Sequence, residues 1–313
     1  MIVASPRLSI LEAFIMYKAF IMYKPLCVAI ALMATVALAQ NSQPAASGPS
    51  YQFTPVLFPQ AIFTNPYRVT NGGVMLGHYA TEQAGGGFVA KNGTYKSLSL
   101  AGTSSPLFLG INNLGQVVGD YSGAECPSGD TCGFVKTAAV VTTLQFPGYG
   151  FTSAIGINDL GQIVGAYFDG RHNHGYLYSA GVYTSIDFPG ATDTIAMDIN
   201  NAGQVVGYWY NASQEFGFMQ TNGQMKEIKV PGSTSVLVLG INNLGQIVGT
   251  YSDQTFNYHG FQHSAQGFVT LDYPGSTASW AYGINDAGVI VGIDDDGCTG
   301  GNLSCGFEAT PNQ

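Results

Sequence analysis

The chain has 313 residues, of which only 9% are charged, while glycine (42 residues) and aromatic side chains (12%) are plentiful. That balance, with frequent Val, Ile, Thr, Tyr and Phe, points to an all-β protein rich in turns. A formal net charge of −9 and no basic patch argue against nucleic acid as a partner.

In chain order, Lys24 precedes an almost wholly apolar run from Pro25 to Ala39 that ends Ala37-Leu38-Ala39, an A-x-A cleavage pattern. The run is shorter than the roughly 20 residues a membrane span needs. Residues 1–39 therefore read as a signal peptide, and the mature chain is expected to have no membrane span and to be secreted or periplasmic. The hexapeptide Ala-Phe-Ile-Met-Tyr-Lys occurs at 13–18 and again at 19–24, so translation could begin at Met1, Met16 or Met22. Loss of Arg7, Glu12, Lys18 and Lys24 with the signal leaves 7 basic against 18 acidic side chains, a net −11. Residues 40–50 read as a flexible polar linker, 51–309 as one domain and 310–313 as a tail.

Export leaves Cys126, Cys132, Cys298 and Cys305, in two local pairs. Outside the cytoplasm these are expected as disulfides 126–132 and 298–305. Zinc is the rival, but no His or second cysteine pair lies at finger-like spacing.

The exported part is organised around Gly240-Ile-Asn-Asn-Leu-Gly-Gln-Ile-Val-Gly249. The last glycine recurs at Gly77, Gly119, Gly165, Gly207, Gly249 and Gly292, with spacings of 42, 46, 42, 42 and 43. A period of 40–45 with several strand signals per unit is the signature of propeller blades. Four short strands are expected in each unit. The first ends in Gly-Ile-Asn, and a turn such as Asn158-Asp-Leu-Gly161 leads into the second. That strand carries the glycine and, two residues on, an aromatic: Tyr79, Tyr121, Tyr167, Trp209 and Tyr251, then Asp294. A third strand begins Gly-aromatic (Gly87-Phe88 through Gly306-Phe307), and a fourth ends before Pro-Gly. Unbroken apolar runs in the second strand predict burial on both faces, and its glycine a close backbone approach.

Phe58 precedes Gly77 by 19 residues, as Phe146, Phe188, Val230 and Tyr273 precede their own glycines. Residues 51–58 are thus an orphan fourth strand, and the last unit lacks one. The expectation is a six-bladed β-propeller of four-stranded blades, closed by strand 51–58 completing the C-terminal blade. Pro55 is tolerated there as an edge residue.

The recurring G-I-N-x-x-G-Q-(I/V)-V-G, with His-Gly-aromatic at 174–176 and 259–261, resembles the bacterial HAF repeat, a probable extracellular repeat. The resemblance covers about residues 51–309. The first copy, Val69–Gly77, departs from the pattern, and Gly, Cys or Phe replaces the His in the other four units. It implies an exported repeat protein and brings no established activity or catalytic residues.

Residue types that fill one slot in every unit build the scaffold. Asn113, Asp159, Asn201, Asn243 and Asp286 read in this way as turn formers, on the face away from any ligand. Asp187 and Asp272, sharing a slot with Gln145 and Lys229, read as a solvated face. Candidate ligand-binding residues lie where units differ: Arg171, His172 and His174; Trp209 and Tyr210; Tyr258 and His259; Asp294, Asp295 and Asp296. The alternating His172 and His174 could share a metal, and Asp294–Asp296 could take calcium, though EF-hand spacing is absent. Inter-blade packing competes with sugar stacking for the aromatic slot. No metal or other cofactor is otherwise expected.

Searches for P-loop, H-E-x-x-H, G-x-S-x-G and C-x-x-C motifs are empty, so no catalytic residue is assigned. The leading reading is a monomeric binding module for a carbohydrate or surface macromolecule. A glycosidase or lyase on the same scaffold and a structural envelope protein are the alternatives.

Overall fold

A computed structural model describes residues 49–123, 126, 130–138, 140–211, 214–295 and 304–312. The expected signal segment, most of the linker, Cys298 and Asp296 lie outside the described residues. No helix among the described residues is long and apolar enough to cross a membrane.

Among the described residues, twenty-four strands follow the repeat. Tyr51–Val56 is β1. Unit one holds β2 (Phe63–Val69), β3 (Met75–Ala80), β4 (Gly85–Lys91) and β5 (Thr94–Ser97). Unit two holds β6 (Ser104–Ile111), β7 (Val117–Ser122), β8 (Thr131–Thr137) and β9 (Val140–Leu144). Unit three holds β10 (Phe151–Ile157), β11 (Ile163–Phe168), β12 (Asn173–Ser179) and β13 (Val182–Ile186). Unit four holds β14 (Asp193–Ile199), β15 (Val205–Asn211), β16 (Gln214–Thr221) and β17 (Gln224–Ile228). Unit five holds β18 (Ser235–Ile241), β19 (Ile247–Ser252), β20 (Tyr258–Ser264) and β21 (Gly267–Leu271). Unit six holds only β22 (Ser279–Ile284), β23 (Ile290–Asp294) and β24 (Cys305–Pro311).

Each unit is an antiparallel meander, and the missing fourth strand of unit six is β1, paired with β24 from Tyr51↔Pro311 to Val56↔Gly306. The strand runs on through Thr310 and Pro311, residues expected to lie in the tail. Phe53 packs edge-on against Phe307 and Tyr273, so the closing strand also covers apolar surface. One departure from separate four-stranded sheets occurs: units two and three share an eight-stranded sheet through a parallel pair, Thr131↔Phe151. The same parallel bridge recurs as isolated pairs at Tyr258↔Ala278 and Phe63↔Ser304. In each case the start of a third strand meets the start of the next unit's first.

The hydrophobic core lies between successive units. Val206 and Ile228 of unit four, for instance, pack with Val236, Val238, Ile247 and Phe261 of unit five. The ring of the Gly-aromatic step is at most 1% exposed in all six units: Phe88, Phe134, Tyr176, Phe218, Phe261 and Phe307. Burying such a ring stabilises by about 1.5–3 kcal/mol, which makes this slot the anchor of each unit. The strand glycine is required by a close approach. A Cβ on Gly249 would collide with the carbonyl oxygen of Leu237 on the adjacent strand, where a β-bulge brings the backbone in.

Candidate functional site

The two ends of the units are built by different rules. At one end lie the Asn-x-x-Gly turns, closed by left-handed glycines such as Gly161 (φ 74°) and Gly245 (φ 75°). In five of the six turns the first residue is an Asn that shapes it, Thr70 taking its place in unit one: the Asn200 side-chain oxygen accepts from the backbone N–H of Ala202 and Gln204. Its amide reaches across to the carbonyl of Asn242, 3.0 Å away in the next unit. The same buried step links Asn112 to Asn158, Asn158 to Asn200, Asn242 to Asn285 and Asn285 to Thr70.

The second turn residue corrects the sequence expectation. Asn113, Asp159, Asn201, Asn243 and Asp286 accept the backbone N–H of the preceding unit's counterpart, rather than stabilising their own turns. With Asn71 accepting from the N–H of Asp286, the six bonds form a closed cycle, 2.7–2.9 Å long at each step. Asp159 also accepts the amides of Asn113 and Asn201. Although burial opposes it, this set of donors holds its carboxyl below the usual range.

Inside the cycle is a cavity of about 60 Å³, lined by all six turns together with Arg68 and Asp198. It is far below the roughly 300–1,000 Å³ of small-molecule pockets. Arg68 and Asp198 were missed by sequence reasoning, although the signal was present. Their slot is Gly110, Gly156, Gly240 and Gly283 in the other units. The glycine slot packs tightly, since a Cβ on Gly156 would crowd the Asp198 backbone and one on Gly283 the Tyr67 carbonyl. Arg68, 6% exposed, donates to the carbonyls of Tyr67, Tyr282 and Met197, and its Nε stands 3.8 Å from Asp198 Oδ2. Burial raises Asp198, while Arg68 and the N–H groups of Ile241 and Ile199 pull it down. One charged pair, from units one and four, thus stands in a slot that is glycine in the other four units.

The other end carries the loops between second and third strands, where most candidates fall. Here one position organises each loop: the residue before Gly-aromatic, paired across the sheet with the aromatic slot. It is Gly86, Cys132, His174, Phe216, His259 and Cys305 in the six units, opposite Tyr79, Tyr121, Tyr167, Trp209, Tyr251 and Asp294. In unit two Cys132 is bonded to Cys126 in the loop, with Cα atoms 5.5 Å apart. Cys305 of unit six is also disulfide-bonded, its expected partner Cys298 lying outside the described residues.

In units three and five a histidine takes the cysteine's place. His174 Nε2 lies 3.3 Å from Asp169 of the loop and Nδ1 2.7 Å from Asp187 beyond β13. His259 repeats this with Asp253 at 3.4 Å and Asp272 at 2.9 Å. Tyr167 and Tyr251 stack on the imidazoles with ring centres 5.1 Å apart in both units. Asp187 and Asp272 are therefore partners of these histidines and not a plain solvated face. Partial burial works against each imidazolium, but the paired carboxylates outweigh it and raise both histidines above the ordinary value. The N–H groups of His172 and Arg171 hold Asp169 down to about 2, and the Thr255 hydroxyl leads the groups that depress Asp253.

The remaining candidates are dispersed. Arg171 is exposed, and His172 faces Asp193 at 3.7 Å instead of sharing a metal with His174. No group of three or more His, Cys, Asp or Glu among the described residues is arranged to hold a metal ion. Trp209, 8% exposed, has both faces covered, by Phe188 at 4.5 Å and Phe216 at 4.3 Å, so it cannot stack a sugar. This is the packing role, and in unit four the stack occupies the position of the disulfide or histidine. Tyr210 meets Tyr208 edge-on, with burial raising its phenol, and Tyr258 stacks on Trp280. Asp294, 4% exposed, belongs to strand β23, and Asp295 donates its backbone N–H to the Ala278 carbonyl, while Asp296 lies outside the described residues. The aromatics exposed at this end are others: Phe256 (67%), Phe168 (39%) and Tyr149 (36%). Phe256 adopts φ 66° in a turn capped by Asp253, a conformation uncommon for a bulky residue.

No family model matches the chain, and no curated protein matches it in sequence. Among solved structures, it is similar to a putative TolB from Agrobacterium tumefaciens, with 10% identity and a TM-score of 0.54 over 80% of this chain and 90% of that one. A catalytically inactive virginiamycin B lyase from Staphylococcus aureus with quinupristin gives 12% identity and 0.51 over 84% of this chain and 100% of that one. The β-propeller domain of the Trilobed protease from Pyrococcus furiosus gives 15% and 0.49, each chain covered to 78%. With the four-stranded meanders and the cyclic contacts, the likeness to the first two structures shows the fold alone: a β-propeller.

Proposed function

We propose that the chain is an exported, six-bladed propeller of the HAF-repeat kind, acting as a binding module through its loop end. The observation that carries this reading is the contrast between one end, where the second residues of six turns form one repeated cycle of bonds, and the other, where the position before Gly-aromatic carries a disulfide, an Asp–His–Asp clamp, a ring stack or a glycine. Held loops on a rigid frame bind at lower entropic cost than free ones. Carbohydrate is the ligand class we favour, because Phe256, Phe168 and Tyr149 offer exposed rings, the first two in or next to loops that also carry the Asp253 and Asp169 carboxylates. The Cys126–Cys132 disulfide is compatible with export.

The test is a glycan-array and polysaccharide pull-down screen with the mature chain, repeated with Phe256→Ala and Arg171→Ala. Binding that weakens in these variants while Leu160→Ala, at the turn end, leaves it unchanged supports the assignment. Binding abolished from the turn end, or none to any polymer tested, sinks it.

A further inference from the structure

The position before Gly-aromatic ties loop to sheet with a covalent bond in unit two and with an imidazole in units three and five. Only the second kind depends on a proton. As imidazolium, His174 donates from Nδ1 to Asp187 and from Nε2 to Asp169, and His259 from Nδ1 to Asp272 and from Nε2 to Asp253. A neutral ring has one N–H, so its other nitrogen presents a lone pair to a carboxylate oxygen, two acceptors facing each other. The shorter contacts, 2.7 and 2.9 Å to Asp187 and Asp272, keep the proton, and the longer ones to the loop carboxylates are lost.

We propose that His174 and His259 are proton-gated latches, which tie the 169–172 and 253–257 loops to their blades when charged and release them when neutral. The charged and titratable groups around each ring are the two aspartates and the stacked phenol, Tyr167 or Tyr251, with Tyr149 beside Tyr167. Two separate units have arrived at the same arrangement, in a slot that otherwise holds disulfides, a ring stack or glycine. The upward displacement of both imidazoles agrees in sign. A raised histidine contributes fully below its unfolded value near pH 6.5, and its contribution is lost as pH climbs through the raised value. The loops are therefore held in mild acid and freed in mild alkali. That this modulates ligand capture rests on the binding reading above.

Hydrogen exchange of the mature chain at pH 6 and pH 8.5, corrected for intrinsic rates, reads the latch without any ligand. The amides of Arg171, His172, Thr255 and Asn257, all bonded to Asp169 or Asp253, should lose protection roughly threefold or more at the higher pH. The Cys126 amide, in the disulfide-tied loop, should not change. His174→Gln and His259→Gln should each show low protection in their own loop at both pH values, with the thermal midpoint reporting that the fold persists. NMR of the two imidazoles fixes when they lose the proton. Equal protection at both pH values across that titration, or imidazoles that stay in one state over the range, overturns the latch. Release of the loops without polymer binding at either pH leaves the latch standing and removes only the binding reading.

Discussion

The turn end and the loop end face the same problem, how to tie a connection to its neighbours, and solve it in opposite ways. At the turn end the tie runs from unit to unit: Asn71, Asn113, Asp159, Asn201, Asn243 and Asp286 each accept a neighbour's N–H, and the cycle is complete only when all six are present. At the loop end the side-chain tie that holds each second-to-third loop stays within a unit, as a disulfide, an Asp–His–Asp clamp or the Trp209–Phe216 stack, while backbone bridges such as Thr131↔Phe151 and the Asn173–Asp193 bond join neighbouring units beside it. A tie shared between units forbids variation, because one change spoils two units. Ties within a unit allow each loop to diverge alone. The difference explains why copies agree at one end and disagree at the other.

Four changes break or sharpen that contrast, in descending order of effect. Removal of residues 49–58 takes away β1, uncovers Phe307 and opens the cycle of units; the thermal midpoint should fall by more than about 10 °C or lose cooperativity. A truncation melting with the full chain would show that β1 closes nothing.

Next, Arg68→Ala leaves Asp198 buried without its charge partner and should cost about 3–5 kcal/mol in chemical denaturation. Installing glycine at both positions, as in the four other units, should recover most of that loss. If the double change is no better than the single one, Asp198 is not what makes Arg68 necessary.

Third, the two neighbouring asparagines of one turn separate buried from half-buried ties. Asn200→Ala leaves the N–H groups of Ala202 and Gln204 without their acceptor and removes one of the donors to the Asn242 carbonyl, and should cost about 2–3 kcal/mol. Asn201→Ala, in the half-buried outer cycle, removes the acceptor of the Asp159 N–H and one donor to the Asp159 carboxylate and should cost about 1 kcal/mol. Equal costs would mean that the outer cycle bears as much as the inner ladder.

Fourth, at the loop end, replacing Cys126 and Cys132 by serine opens a loop with a sequence separation of only 6. About 2 kcal/mol should be lost, with local proteolysis of the loop preceding global unfolding. A loss as large as that of Arg68→Ala would show that the disulfide holds more than its own loop.

Several features were legible in the residues. The period of the glycines marked the units, unbroken apolar runs marked strands covered on both sides, and the 19-residue offset of Phe58 marked the strand that pairs with the C-terminal one. These are local or periodic properties, carried by backbone conformation and side-chain size. Other features required the chain to be folded. Asp187 and Asp272 read as solvent-facing because their slot holds Gln145 and Lys229 in other units; each meets its histidine only across β12–β13 or β20–β21. Trp209 read as a candidate contact for ligand because nothing in its own strand shows that Phe188 and Phe216 cover it from either side. Arg68 and Asp198 stand 130 residues apart in the chain and meet because units one and four both face the axis. Repetition along the chain thus determined the scaffold, while the pairing of polar groups, which depends on angstrom distances between strands, was decided only by the tertiary structure.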